Sequence, residues 1–145
     1  MPAPLLAPLI ALVALAVAAG VLRVQRSRQR RLVGIPLPRS LAGTPADSLP
    51  DILYFTGENC TVCEVAQRPA LKRLRELIDD IAIREIDVAR DRGAARSYRV
   101  MTLPTTVVLD PAGRTTVVNA GFAGEAKLRE QVLAARAVDP QSAVA

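Results

Sequence analysis

The sequence predicts an α/β chain, a mixed sheet in the order β-α-β-α-β-β-α, preceded by one N-terminal transmembrane helix. Three observations carry this reading. From about residue 51 onward, short apolar runs of strand length alternate with segments of helical periodicity. The only two cysteines, Cys60 and Cys63, fall where the first strand hands over to the first helix. The first 22 residues carry no charged side chain.

Taken in order, Leu9 to Leu22 is almost entirely Leu, Ile, Val and Ala. An apolar run of roughly 20 residues is long enough to cross a bilayer as a helix. Pro4 and Pro8 lie in its first turns, where a missing N–H does least harm. A buried helix of the domain would need a polar face, which this run lacks. A cleaved signal peptide would carry positive charge before the run and small residues after it. Ala16-Val17-Ala18 and Ala18-Ala19-Gly20 imitate a cleavage site, but no Lys or Arg precedes them. The cations follow instead, as Arg23, Arg26, Arg28, Arg30 and Arg31. Such a cluster stays on the cytoplasmic face and is drawn to anionic headgroups there. The expectation is a single-pass protein of the cell membrane, held through residues 1–31, with its domain in the cytoplasm. An extracytoplasmic domain is the alternative.

The net charge of +5 belongs to that N-terminal segment. Residues 1–46 hold six arginines and no acid, whereas residues 47–145 hold 13 basic and 14 acidic side chains. With two Tyr, two Phe and no Trp there is no aromatic surface on which bases would stack. Nucleic acid is therefore excluded as a partner.

Residues 23–50 read as a basic juxtamembrane segment and a Pro/Gly-rich linker, with one irregular strand near Leu32–Leu37. The domain is expected over residues 51–138, with a disordered tail over 139–145. Asp51–Phe55 reads as a buried strand and Gly57-Glu58-Asn59 as a turn. A helix follows from Cys60 to about Asp79, its buried stripe formed by Leu71, Leu74, Leu77 and Ile78, kinked at Pro69. Ile81 to Asp87 is the second strand, and Asp91–Tyr98 a short polar helix. Pro104–Leu109 and Thr115–Ala120 form a hairpin around Asp110-Pro111-Ala112-Gly113. Gly124 to about Val138 is the last helix, with Leu128, Val132 and Leu133 inward and Glu125 paired to Arg129. Helical crossovers are expected to make the first three strands parallel, the fourth adding an antiparallel edge.

The cysteine spacing carries the chemistry. A thiol at a helix N-terminus faces unpaired N–H groups and the positive end of the helix dipole, which favour the thiolate. The thiolate is the species that attacks disulfides, and a second thiol three residues on is within bonding range. Two cysteines and no histidine cannot complete a closed zinc site, and they exclude Cys-His and Ser-His catalysis. Two cysteines packed as small apolar residues, or a Cu(I) carrier using both thiolates, remain the competing readings.

In this setting the chain resembles the thioredoxin-like superfamily over Asp51 to Val138. The features are a strand before Cys60-Thr61-Val62-Cys63, a strand closing on Ile86-Asp87, and Tyr98-Arg99-Val100 ahead of Leu103-Pro104-Thr105. The hairpin and Gly121 before the last helix complete them. The resemblance implies a thiol–disulfide oxidoreductase acting on protein thiols and disulfides, with no cofactor beyond a redox-active Cys60–Cys63 disulfide. Cys60 becomes the nucleophile and Cys63 the resolving thiol. Pro104 becomes a cis-proline, with Leu103 beside it pairing with substrate and Asn59 at the substrate-facing position before the first cysteine. The chain departs from the family pattern at four points. Asn59 replaces an aromatic residue, Tyr54 replaces a buried acid, Thr-Val replaces Gly-Pro, and Pro69 comes nine rather than eight residues after the first cysteine. Glu58 and Glu64 oppose thiolate formation and Arg68 offsets them. A non-catalytic interaction module of the same fold, and an extracytoplasmic interchange protein, are the alternatives.

Overall fold

The structure, a computed structural model, describes residues 3–30, 32–38 and 49–138; in the first of these segments side chains are described at 8–24 and 27. The chain divides into two compact units, Met1–Arg31 and Leu32–Ala145. The first is a single helix, α1 (Ala3–Arg30). Leu9, Ile10, Leu12, Val13 and Leu15 are each more than half exposed along it. The transmembrane helix expected over residues 1–22 is not supported: among the described residues no helix is long and apolar enough to cross a membrane. Residues 39–48 of the expected linker and the expected tail 139–145 lie outside the described residues.

The second unit contains β1 (Ile52–Thr56), a π-helical turn (Cys63–Gln67), α2 (Arg68–Leu77) and β2 (Ile83–Asp87), followed by α3 (Arg92–Ser97), β3 (Thr105–Leu109), β4 (Thr115–Ala120) and α4 (Glu125–Arg136). The sheet order is β2-β1-β3-β4. β1 is buried at every position, as its unbroken apolar run requires of a central strand covered on both faces. Ile52 and Tyr54 face a cluster with Leu71, Leu74, Ile78, Val108, Leu128 and Val132, beneath α2 and α4. Leu53 and Phe55 face the opposite cluster with Ile86, Ala94, Tyr98, Val107 and Leu109. Within the expected linker, Leu32, Ile35 and Leu37 join that second cluster. Their backbone pairs with the β4 end of the hairpin through a single Pro36–Arg114 bridge and flanking bonds from Gly34 and Leu37.

One expectation fails in direction. β1 and β2 are parallel, but β3 is antiparallel to β1 rather than parallel. A parallel third strand needs a crossover that carries the chain back along the sheet. The connection from Val88 to Pro104, which holds the short α3, is long enough for such a return but does not make it. The chain therefore enters β3 at the end of the sheet where β1 finishes. That reversal sets Thr105 opposite Phe55.

Three smaller expectations fail as well. Leu77 and Leu133 are 55% and 47% exposed, because each falls to the side of the stripes formed by Leu71, Leu74, Ile78 and by Leu128, Val132, Ala135. Glu125 pairs not with Arg129 but with Arg73 of α2, a tertiary partner that ties α2 to α4. The single helix expected from Cys60 is split. In the π-helical turn the Arg68 N–H reaches back to the Cys63 carbonyl, and Pro69 then sits at the start of α2, where it needs no N–H partner. A π turn holds one more residue than an α turn, and it lies where the chain carries one extra residue before Pro69.

Candidate functional site

The end of β1 feeds a tight approach to the cysteines. Gly57 follows the strand, and a Cβ there would come 3.0 Å from Leu103 Cδ1, so a larger residue would make that side chain give by a few tenths of an ångström. Asn59 is exposed and has a φ of 64°. Among residues with a side chain Asn adopts this left-handed conformation most readily, and here it turns the chain into Cys60. The Cys60 N–H then donates to the Gly57 carbonyl at 3.3 Å.

Cys60 and Cys63 are joined by a disulfide with an S–S distance of 2.07 Å and Cα atoms 5.2 Å apart. The two sulfurs differ in their surroundings. Cys60 is half-buried, and its Sγ accepts the Cys63 N–H at 3.2 Å. A sulfur that already receives a backbone donor from the first turn of a helix is set to carry negative charge. Cys63 is 0% exposed and belongs to the core cluster under α2 and α4.

Reversal of β3 brings the second half of the site to the same place. The Phe55–Thr105 pair leaves Pro104, just before β3, at the end of the sheet where β1 finishes, and Leu103 Cδ1 would lie 3.0 Å from a Cβ on Gly57. The Leu103–Pro104 peptide bond is cis. The Pro104 carbonyl accepts the Gly121 N–H at 2.8 Å. Among the described residues, the Leu103 backbone N–H and C=O take no hydrogen bond. The Leu103 side chain packs against the same cluster as Cys60. Cys60, Cys63, Asn59, Leu103 and Pro104 thus gather at one end of β1.

Charge around the site is arranged through Arg68. Its guanidinium pairs with Glu64 at 3.2 Å and with Glu85 at 2.6 Å. Glu85 foremost, with Glu64 adding to it, holds Arg68 above its ordinary range. Glu64, one residue from Cys63, therefore meets the site already paired. Beneath this pair the Tyr54 hydroxyl donates to the Cys63 carbonyl at 3.4 Å, a long bond. Burial pushes Tyr54 above the usual tyrosine value, with Thr56 and Arg68 pulling the other way. Among the described residues no three His, Cys, Asp or Glu side chains are arranged to hold a metal ion.

Gln67 was not singled out from the sequence. It is buried at 0% exposure and makes two hydrogen bonds to Ala123, both 3.0 Å. Its signal was a polar side chain in helical phase with Leu71, Leu74 and Ile78.

A four-stranded mixed sheet between helices, with a cysteine pair after its central strand and a cis-proline opening the strand beside it, matches solved structures of one kind. The chain aligns with a mutant thioredoxin from Halobacterium salinarum NRC-1 at a TM-score of 0.57 and 23% identity, over 73% of this chain and 91% of that one. The fold is thioredoxin-like. Fasciola hepatica thioredoxin aligns with this thioredoxin-like chain at a TM-score of 0.51 and 27% identity, over 59% of this chain and 79% of that one. MTB dsbF, in mixed oxidised and reduced forms, aligns at 0.51 and 17%, over 61% and 84%. No protein-family model matches the thioredoxin-like chain, and no curated protein matches it in sequence.

Proposed function

We propose that this chain is a thiol–disulfide oxidoreductase that exchanges disulfides with protein partners through Cys60 and Cys63. One observation carries the reading: the two bonded sulfurs are unequal, with Cys60 partly exposed and hydrogen-bonded by a helix N–H and Cys63 sealed in the core. That asymmetry suits a cycle in which the Cys60 thiolate attacks a partner disulfide and forms a mixed disulfide. Cys63 then displaces the reduced partner. The unpaired backbone of Leu103, next to Pro104, supports a second role, pairing with an extended segment of the partner as an added strand. Asn59, exposed beside Cys60, borders the same surface. The reaction as proposed uses no cofactor other than the disulfide itself.

The membrane tether is part of the proposal. It is supported by the uncharged stretch 1–22, the five arginines that follow it, and the exposed leucine, isoleucine and valine side chains of α1. The same arginines support a cytoplasmic domain.

The deciding measurement is the reduction potential of the full chain against a glutathione series. A reversible two-electron couple is expected, lost in Cys60→Ser. A potential near about −270 mV supports a reductase and one near about −120 mV an oxidase. A pair that never equilibrates with glutathione overturns the exchange reading. A membrane-impermeant maleimide on intact cells, after mild reduction, is expected to leave Cys60 unlabelled. Labelling without lysis places the domain outside.

A further inference from the structure

β2 (Ile83–Asp87) is an edge strand, with β1 on one side and, among the described residues, no strand on the other. The Ala82 carbonyl accepts the Asp51 and Ile52 N–H groups, and the Val88 N–H donates to the Thr56 carbonyl. In a parallel pair a residue turns both its backbone groups the same way, so Ala82, Arg84, Ile86 and Val88 face β1. Ile83 and Glu85 therefore turn their N–H and C=O groups outward, unpaired among the described residues. Such an edge accepts one more strand.

The side of α2 that looks onto this edge is cationic. Arg68, Lys72 and Arg75 stand four and three residues apart and so share one side of the helix. All three line an open cleft of about 600 Å³, together with Ile83 and Glu85 of the edge strand. Two acids line it as well, Glu64 and Glu85, and both are bound to Arg68. Lys72 and Arg75 are exposed, and among the described residues neither has an ion pair. Two uncommitted cations thus stand beside an unpaired strand edge. They are about 4.5 Å apart along the helix. Side chains two residues apart on one face of a strand are separated by about 6.8 Å, a mismatch that long, flexible cationic side chains absorb. A second copy of the chain fits this edge poorly. Antiparallel pairing centred on Arg84 or Glu85 sets that residue opposite its own counterpart, and pairing centred on Ile86 sets Glu85 opposite Asp87.

We propose that the β2 edge and the Lys72–Arg75 row form a docking groove for an extended acidic segment of a partner protein, which adds to the sheet as an outer strand. Its backbone pairs with Ile83 and Glu85, and acidic side chains at alternate positions meet Lys72 and Arg75. Charge complementarity selects this occupant, because the acids of the groove are already neutralised and the cations are not. No bond is made or broken, and the inference stands whether or not the cysteines exchange.

The test titrates the full chain, in a neutral detergent, into a fluorescein-labelled, end-blocked peptide Thr-Val-Glu-Val-Glu-Val-Thr while anisotropy is read. Saturable binding is expected, weakened at least about tenfold by the double substitution Lys72→Glu, Arg75→Glu. A peptide with Lys in place of each Glu should lose about as much. Of two peptides methylated on alternate amides, the one blocked on the side facing β2 should lose binding and the other keep it. Amide exchange in the complex should slow at Ile83 and Glu85 and stay unchanged at Leu103. The substituted side chains are exposed, and the peptide variants need no change to the protein at all. Absence of binding, binding undiminished by the double substitution, or equal losses from both methylated peptides overturns the inference. Protection at Leu103 in place of β2 overturns it too, since the peptide then sits beside the disulfide. Protection at Ile83 and Glu85 that grows with protein concentration, without peptide, gives the edge to a second copy and overturns it as well.

Discussion

Gln67 uses both ends of its side-chain amide on one residue, Ala123. Nε2 donates to the Ala123 carbonyl at 3.0 Å and Oε1 accepts the Ala123 N–H at 3.0 Å. Gln67 lies in the π-helical turn that begins at Cys63, and Ala123 in the loop between β4 and α4. In that loop Gly121 also donates to the Pro104 carbonyl. Three segments that border the disulfide are therefore joined by three hydrogen bonds. The half-exposed Phe122 is held between two of the anchoring residues.

Gln67→Leu keeps the approximate shape and removes both bonds. It leaves a buried N–H and C=O of Ala123 without partners. Each such group costs about 1–3 kcal/mol, so urea denaturation should show a loss of about 2–6 kcal/mol. A loss below about 0.5 kcal/mol would mean that the loop is held by other contacts.

The two thiols of the reduced protein should differ sharply toward an alkylating agent. Cys60 should react first, because it is partly exposed and its sulfur receives an N–H, while Cys63 is sealed. Cys63→Ser should accumulate mixed disulfides with its partners and Cys60→Ser should not. Mass spectrometry after brief iodoacetamide treatment reads the order directly, and faster labelling at Cys63 would reverse the assignment.

How much of this was legible depended on range. The strands, the cysteine pair and the proline loop could be read from local patterns, because alternation and turn residues are local in sequence. The direction of β3 could not be read by strand-helix alternation alone. A connection from Val88 to Pro104 that holds a helix is compatible with either direction, and the pairing of β3 with β1 is a long-range contact. The π turn did leave a trace, in the nine-residue spacing from Cys60 to Pro69, but a spacing does not say how an extra residue is absorbed. Partner choice was hidden in the same way. Glu125 had a helical neighbour in Arg129, and the fold supplied Arg73 instead.

Arg136 should be a stability residue remote from the disulfide. Near the end of α4 it grips Asp51 through Nε at 2.8 Å and Nη2 at 2.9 Å, and reaches Asp80 at 3.3 Å. Asp51 in turn accepts the Ala82 N–H at 2.9 Å, so one carboxylate ties α4 to the starts of β1 and β2. The Asp51 bonds, ahead of the Asp80 pair, hold Arg136 above its ordinary range. Arg136→Met keeps much of the apolar stem and should cost about 2 kcal/mol in urea denaturation, with no change in the reduction potential. A shift in potential would show that this network reaches the disulfide.

Alkaline pH should destabilise the fold through its two buried tyrosines. Burial raises Tyr54 and Tyr98 above the usual tyrosine value of 10.0. The unfolded chain therefore loses these protons first as pH rises. Above about pH 10 the unfolded state binds fewer protons than the native one, so stability falls with pH. It is fully present below that point and is lost as pH climbs through the raised native values. Chemical denaturation followed from about pH 8 to about pH 11 should show this decline. Tyr98→Phe should flatten it with little cost at neutral pH, because among the described residues the buried Tyr98 hydroxyl has no hydrogen-bond partner. A decline equally steep in Tyr98→Phe and Tyr54→Phe would assign the alkaline transition to other groups.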